Sequence, residues 1–132
     1  MATRHQVRQA VVSLLYARDI NGENDELKNE FLESKKIRNK QKIFTEELIS
    51  GILSNLNTLD DVLNEHLNEY KMNEIGEVER AILRLGAYEI KFSDIDKAVA
   101  INEAIELAKE MGSDTSPKFV NGVLDKVDKW EL

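Results

Sequence analysis

The sequence predicts an all-helical protein of about seven helices. The first observation is composition: one proline and six glycines leave few turn-forming positions, while Leu, Glu, Lys and Ala, which favour helices, are abundant. The second is periodicity, because apolar residues recur at the three- and four-residue spacing of a helix along most of the chain. The third is size: 132 residues, 42% of them hydrophobic, suffice for one domain with a buried core.

Three helices are expected in the first half of the chain. The first runs from about Thr3, a suitable N-cap, to Ile20. A second, acidic helix covers about 24–34, and a third covers about 41–55. The apolar face of the first helix consists of Val7, Ala10, Val11, Leu14 and Ala17. Arg4 and Arg8 are one turn apart, so they are expected to project together at the edge of that face.

A fourth helix begins at Asn57 or Thr58 and is followed by a loop at 71–77. Its inward residues are expected to be Leu59, Val62, Leu63, Leu67 and Tyr70. The fifth helix, at about 77–92, is apolar on almost every side, which is typical of the centre of a helical bundle. Gly86 inside it costs about 1 kcal/mol relative to alanine, so we expect a close helix-to-helix approach there.

Two further helices complete the chain. The sixth covers about 97–111 and ends at Gly112. The seventh opens at Ser116 and Pro117, which suit an N-cap and a first-turn position. Its apolar face is expected to contain Phe119, Val120, Val123, Leu124, Val127 and Trp130.

Charge is segregated along the chain, although the formal net charge is -7. Arg4, His5, Arg8 and Arg18 precede any acid, and the stretch KKIRNKQK (35–42) carries five basic residues. The acids gather at 23–33 and 60–79. A molecule of this kind can hold RNA on one surface while another surface keeps it soluble.

Several classes of protein are disfavoured. The chain has no cysteine, so disulfides and thiolate zinc sites are excluded. The longest apolar run, Ala10–Ala17, is too short to cross a bilayer. We therefore expect no signal peptide and no membrane anchor, and a cytoplasmic protein.

No pattern of an enzyme or of a cofactor site is present. Glu103 and Glu106 are expected on a solvated helix face, and His66 is expected at the surface. Residues 19–30 resemble a calcium loop only in part, because its sixth position is Asn24 and not glycine. We expect a helix cap followed by an acidic helix there, with no metal and no cofactor.

The basic patches are the candidate binding sites. Arg4, His5 and Arg8 can meet phosphates or stack on splayed bases. A charged helix end and a mobile basic loop at 35–42 that simply face water are the alternative. From residue types alone, the description stops at a helical domain with two basic patches.

Three stretches resemble the NusB family: RHQVRQAVVSLLYA (4–17), VERAILRLGAYEI (78–90) and VAINEAIELAKEMGSDTSPKFVNGVLDKV (99–127). They sample the start, middle and end of the chain, and the last is the longest and most specific. The resemblance implies two packed helical bundles without catalytic activity or cofactor. It also implies binding of boxA single-stranded RNA together with the ribosomal protein NusE, in a complex that helps RNA polymerase resist termination during rRNA transcription.

The resemblance also assigns site residues. The arginine-rich start of the family falls on Arg4, His5 and Arg8, with His5 and Gln6 as departures from the arginines expected. The second RNA-facing element falls on the segment between the last two helices, where Pro117 departs from the pattern and is expected to stiffen the turn. Its RNA-binding residues here are Thr115, Ser116, Lys118 and Phe119. Phe119 is either a stacking platform or part of the core.

The contacts with NusE fall on Tyr16, Glu74 and Glu79, where acidic side chains suit a basic partner. The 35–42 run lies outside the family pattern. Two alternatives remain at this point. One is a NusB-like module that acts with an RNA methyltransferase, and the other is a helical protein-interaction module without an RNA role.

Overall fold

The computed structural model describes residues 2–129, which form seven α-helices. They are α1 (Arg4–Asn21), α2 (Asp25–Ser34), α3 (Lys40–Ser54), α4 (Leu56–His66), α5 (Glu77–Phe92), α6 (Lys97–Met111) and α7 (Ser116–Leu124). The all-helical prediction is confirmed. The segment 71–76 between α4 and α5 contains turns, as the sequence predicted.

Helix α1 begins at a capping box. The Thr3 side chain accepts a hydrogen bond from the Gln6 backbone N–H (3.1 Å), and Gln6 Oε1 accepts one from the Thr3 backbone N–H (2.8 Å). These two bonds satisfy donors that a helix start otherwise leaves unpaired. Gln6, which departs from the family pattern, therefore fixes the start of the helix.

Helix α5 is the centre of the fold, because it packs against α1, α3, α4, α6 and α7. Of the other helices, α3 packs against α1 and α4, and α6 packs against α7, with a smaller contact between α1 and α6. Gly86 marks the closest approach: a Cβ at this position would lie 2.6 Å from Leu124 Cδ1. The expected close approach at Gly86 is therefore confirmed.

A second, smaller apolar cluster anchors α2 and the basic run at 35–42. It consists of Ala2, Ala10, Leu32 and Ile37, with Leu14 and Phe31 packed against it. Ile37 is 1% exposed, in the middle of the basic run. Arg38 forms an ion pair with Glu33 (2.5 Å), and Lys40 begins α3. The run is thus anchored to the fold by Ile37, while Lys35, Lys36, Arg38 and Lys40 are exposed.

Two details of the last helices and α4 differ from the prediction. Helix α4 ends at His66, because the chain turns into an extended conformation at Leu67. Tyr70, expected to point inward, is 57% exposed. Helix α7 ends at Leu124, although Val127 is still buried beyond its end. Trp130 lies outside the described residues.

An ion network that the sequence did not reveal ties α1, α4 and α5 together. Arg84 is 9% exposed and donates to both carboxylate oxygens of Asp60 (3.0 and 2.9 Å) and to Asp19 (3.2 Å). Arg80 also pairs with Asp19 (3.5 Å). Asp19, the first residue of the partial calcium loop, is therefore committed to two arginines, and the acid-rich 60–79 stretch contributes Asp60 to the interior.

Candidate nucleic-acid interface

The turn between α6 and α7 is held by the hydroxyl of Ser116. This Oγ accepts a hydrogen bond from the backbone N–H of Ser113 (2.9 Å) and donates one to Glu79 Oε2 on α5 (2.7 Å). Ser116 is only 2% exposed. The expectation that Ser116 faces RNA is therefore corrected: its side chain points inward, because its hydroxyl donates a hydrogen bond to the Glu79 carboxylate on α5.

The residues on either side of Ser116 are presented to solvent. Thr115 is exposed and takes the N-cap position of α7 that was predicted for Ser116, but its side chain makes no cap hydrogen bond; its hydroxyl lies 3.3 Å from Ser113 Oγ. Lys118 is exposed in the first turn of α7. Phe119 is half-buried and packs against the main core, and part of its ring remains accessible. Thr115, Lys118 and the outer part of Phe119 are the accessible members of this element.

The start of α1 presents Arg4. Its side chain is exposed, and the guanidinium carbon lies 4.0 Å from the centre of the Phe44 ring on α3. A cation over an aromatic face is held in a preferred orientation without losing its donors. Arg4 is therefore an oriented, accessible cation.

His5 lies between two carboxylates of α6. Its Nδ1 is 2.7 Å from Glu103 Oε2 and its Nε2 is 2.7 Å from Glu110 Oε1. Both nitrogens can donate only when the ring is protonated. The hydrogen bond to Glu103, together with those of Glu110, raises the pKa of His5 above its ordinary value, and the His5 hydrogen bond lowers the pKa of Glu110.

Arg8 is buried and not presented to solvent. It is 7% exposed, and its Nε and Nη2 donate to the two carboxylate oxygens of Glu89, each at 2.9 Å. The prediction that Arg4 and Arg8 project together is therefore wrong in its geometry: Arg4 reaches α3, whereas Arg8 reaches the central helix α5. A bidentate pair of this kind holds α1 in place.

The contacts of His5 join the start of α1 to α6, the helix that leads into the turn before α7. Glu110, its second partner, lies two residues before Gly112, where the turn to α7 begins. A cleft of about 370 Å³ at this junction is lined by Gln6 from α1, Lys35 from the basic run and Glu110 from α6, among others. Arg4, Lys35 and the 113–118 segment thus belong to neighbouring elements.

The three predicted partner residues have different surroundings. Tyr16 is 38% exposed on α1. Glu74 is exposed, and its Oε1 accepts a hydrogen bond from the backbone N–H of Lys71 (2.9 Å), which closes the turn before α5. Glu79 is half-buried and bonded to Ser116. Tyr16 and Glu74 are the more accessible of the three.

The residues most important for positioning were missed by the sequence reasoning. Glu89 and Glu103 pair with Arg8 and His5 across 81 and 98 positions of the chain. Glu89, one of the few charged residues in the largely apolar VERAILRLGAYEI stretch, was the signal that could have shown a buried partner for a cation. Over residues 2–129, the acidic and histidine side chains form no cluster able to hold a metal ion, and no helix has the length and apolar character to cross a membrane.

Comparison with known proteins decides the family. The NusB family model matches residues 5–129. The chain belongs to the NusB family. It is 63% identical over 129 residues to a transcription antitermination protein NusB from Campylobacter fetus, with 98% of each chain covered. The family, the all-helical fold and the non-enzymatic class predicted from the sequence are confirmed by this membership.

Solved NusB structures share the fold. NusB of T. maritima superposes with a TM-score of 0.87 at 36% identity, covering 98% of this chain and 92% of the other. A NusB crystallised with NusE and double-stranded RNA has a TM-score of 0.84 at 32% identity, with 96% of each chain covered. That NusB homologue therefore assembles with both a protein and a nucleic acid.

Proposed function

We propose that this chain is a transcription antitermination factor that binds boxA-type single-stranded RNA together with NusE. In this role it acts with RNA polymerase in the bacterial cytoplasm and supports transcription of rRNA. The observation that carries the proposal is the likeness to transcription antitermination protein NusB over 98% of both chains. The NusB homologue in complex with NusE and RNA supports the choice of partners.

The accessible cations define the RNA surface in this proposal. Arg4 and Lys118 contact phosphates, Thr115 contributes a hydroxyl, and the outer part of Phe119 offers a ring for stacking. His5, Arg8 and Ser116 support this surface by holding α1 and the turn before α7 in place. Because the protein is acidic and presents only two or three cations to the RNA, we expect modest RNA affinity in the absence of NusE.

Tyr16, Glu74 and Glu79 form the NusE surface in this proposal. Acidic side chains complement a basic ribosomal protein and favour its association. NusE adds contact surface for the RNA and orders the binding site beforehand, so RNA binding costs less conformational entropy. RNA affinity is therefore expected to rise when NusE is present.

A titration tests the function. Fluorescently labelled boxA-type RNA and a scrambled strand of equal length are titrated with the protein, with and without NusE. We expect preferential binding of the boxA strand that strengthens with NusE. Equal binding of both strands would contradict recognition of boxA. NusE binding with no RNA binding at all would show that the chain is only a protein-interaction module.

Matched variants test the surface. Arg4→Ala and Lys118→Ala are each expected to weaken binding and to reduce the salt dependence by about one phosphate contact. Lys28→Ala serves as the control, because Lys28 on α2 pairs with Asp25 and Glu46 (3.7 and 3.4 Å) and belongs to neither predicted RNA element. An equal effect of all three variants would mean that the binding reflects overall charge.

A further inference from the structure

We propose that a groove beside α7 binds one nucleotide of single-stranded RNA, with its base stacked against Tyr70 and Phe119. The inference rests on the proposed RNA function and extends the track from the turn before α7 along that helix. The groove, called here the aromatic groove, has a volume of about 410 Å³. One wall is the segment that follows α4 and includes Tyr70, and the other is the face of α7 that includes Phe119, Gly122 and the following Lys126.

The two rings supply the stacking surface. Tyr70 is 57% exposed and lines the groove, so its ring is accessible to a base. Phe119 is anchored, because its inner part packs against the main core while its outer part lines the groove. An anchored ring and an exposed ring that line one groove can accept any base, because every base has a π-face.

Two lysines give the groove its preference for a polyanion. Lys118 and Lys126 are both exposed and both line it. They are eight positions apart, so a strand that follows α7 meets cations about 12 Å apart along the helix direction. Glu69 lies on the opposite wall and opposes this charge, which leaves a net positive groove on an acidic protein.

Gly122 keeps the floor of the groove open. It is exposed within α7, and a Cβ at this position would meet no atom within 4 Å. Glycine in a helix costs about 1 kcal/mol relative to alanine, and here no close packing offsets that cost, unlike at Gly86. A floor without a side chain is what a flat base requires in order to enter between the two walls.

Substitutions at Gly122 test the groove without touching the core. Gly122→Ala is expected to retain RNA affinity, whereas Gly122→Gln fills the groove and weakens binding at least fivefold. Gly122→Glu adds a negative charge to the same volume and weakens it further. Tyr70→Leu removes one stack and is also expected to weaken binding at least fivefold, because a base stack on an aromatic ring is worth that much or more. Circular dichroism of each variant confirms the fold.

A fluorescent base locates the nucleotide. Strands with 2-aminopurine at successive positions are bound to the protein, and stacking is expected to quench one of them strongly. Tyr70→Leu restores its emission. The groove proposal is overturned if Gly122→Glu binds RNA with wild-type affinity and the quenching survives Tyr70→Leu. It is also overturned if these two variants lose NusE binding while their RNA binding is unchanged. If Lys118→Ala still weakens RNA binding in that case, the proposed function stands and only the groove is rejected.

Discussion

Ser116 and Glu79, one from the predicted RNA element and one from the predicted NusE surface, are hydrogen-bonded to each other at 2.7 Å. Glu79 is confined on its other side by Gly76, where a Cβ would lie 2.2 Å from Glu79 Oε1. The turn before α7 is therefore fastened to the first turn of α5. A partner that displaces Glu79 would therefore also move the turn before α7.

Ser116→Ala tests how strongly the turn depends on this bond. The substitution leaves the Glu79 carboxylate without its donor in a partly buried place, so we expect the free energy of unfolding to fall by about 1–3 kcal/mol. Thr115→Ala, at an exposed neighbouring hydroxyl, is expected to change it by less than about 0.5 kcal/mol. Urea denaturation measures both. Similar small effects of the two substitutions would mean that the bond does not hold the turn.

Arg8→Ala is expected to act on folding. Removal of the guanidinium leaves the Glu89 carboxylate buried without its partner, and breaking a buried pair in this way costs about 3–5 kcal/mol. Arg4→Ala removes an exposed cation and is expected to cost less than about 1 kcal/mol. Thermal or urea denaturation of the two variants compares these costs.

The same pair of variants separates stability from RNA contact. RNA affinity is measured without urea, at a temperature where both variants remain folded. Arg4→Ala is expected to reduce the slope of RNA affinity against salt concentration, whereas Arg8→Ala is expected to leave that slope unchanged. A stable Arg8→Ala variant with a reduced slope would place Arg8 on the RNA and contradict the role given to the Glu89 pair.

Stability is expected to depend on pH through His5. Because its pKa is raised in the folded state, its contribution is fully present below about 6.5, the ordinary histidine value, and is lost as the pH rises through the folded-state value. The pKa of Glu110 is lowered, so its contribution is present above the ordinary glutamate value and is lost as the pH falls through the folded-state value. The His5 contribution is therefore largest in mildly acidic solution.

The urea midpoint measured from pH 5 to pH 9 for the wild type and for His5→Gln checks this dependence. The difference between the two proteins should shrink as the pH rises. A difference that stays constant or grows with pH would contradict the assigned protonation of His5.

Two glycines of helices are expected to respond oppositely to alanine. Gly122→Ala should stabilise the protein by up to about 1 kcal/mol, because helix propensity improves and the added methyl group meets nothing. Gly86→Ala should destabilise it, because overpacking against the fully buried Leu124 costs about 1–3 kcal/mol and outweighs the propensity gain. Thermal melting of both variants decides, and stabilisation by Gly86→Ala would refute the close approach of α5 and α7.

The helices were predictable because their signals are local. Thr3 marks the start of α1, Gly112 marks the end of α6, and an apolar run on all sides marks α5 as central. Even the close approach at Gly86 followed from one unfavourable residue in a helix. Helix propensity, caps and apolar periodicity depend on residues within one or two helical turns, so they can be recognised from the sequence alone.

The site was less predictable because its geometry depends on pairs that are distant in sequence. Arg8 and Arg4 look alike in the sequence, yet α5 buries one beside Glu89 and α3 leaves the other exposed over Phe44. Tyr70 continues the periodicity of α4, but the helix ends four residues earlier and releases it to the surface. Only the packing of other helices decides such cases.

Backbone chemical-shift mapping with boxA-type RNA tests the central claim most directly. The account predicts that the RNA shifts the amides around Arg4 and the 115–119 segment together, while those around Lys28 on α2 stay in place. Bound RNA that leaves both the start of α1 and the start of α7 unperturbed would contradict it.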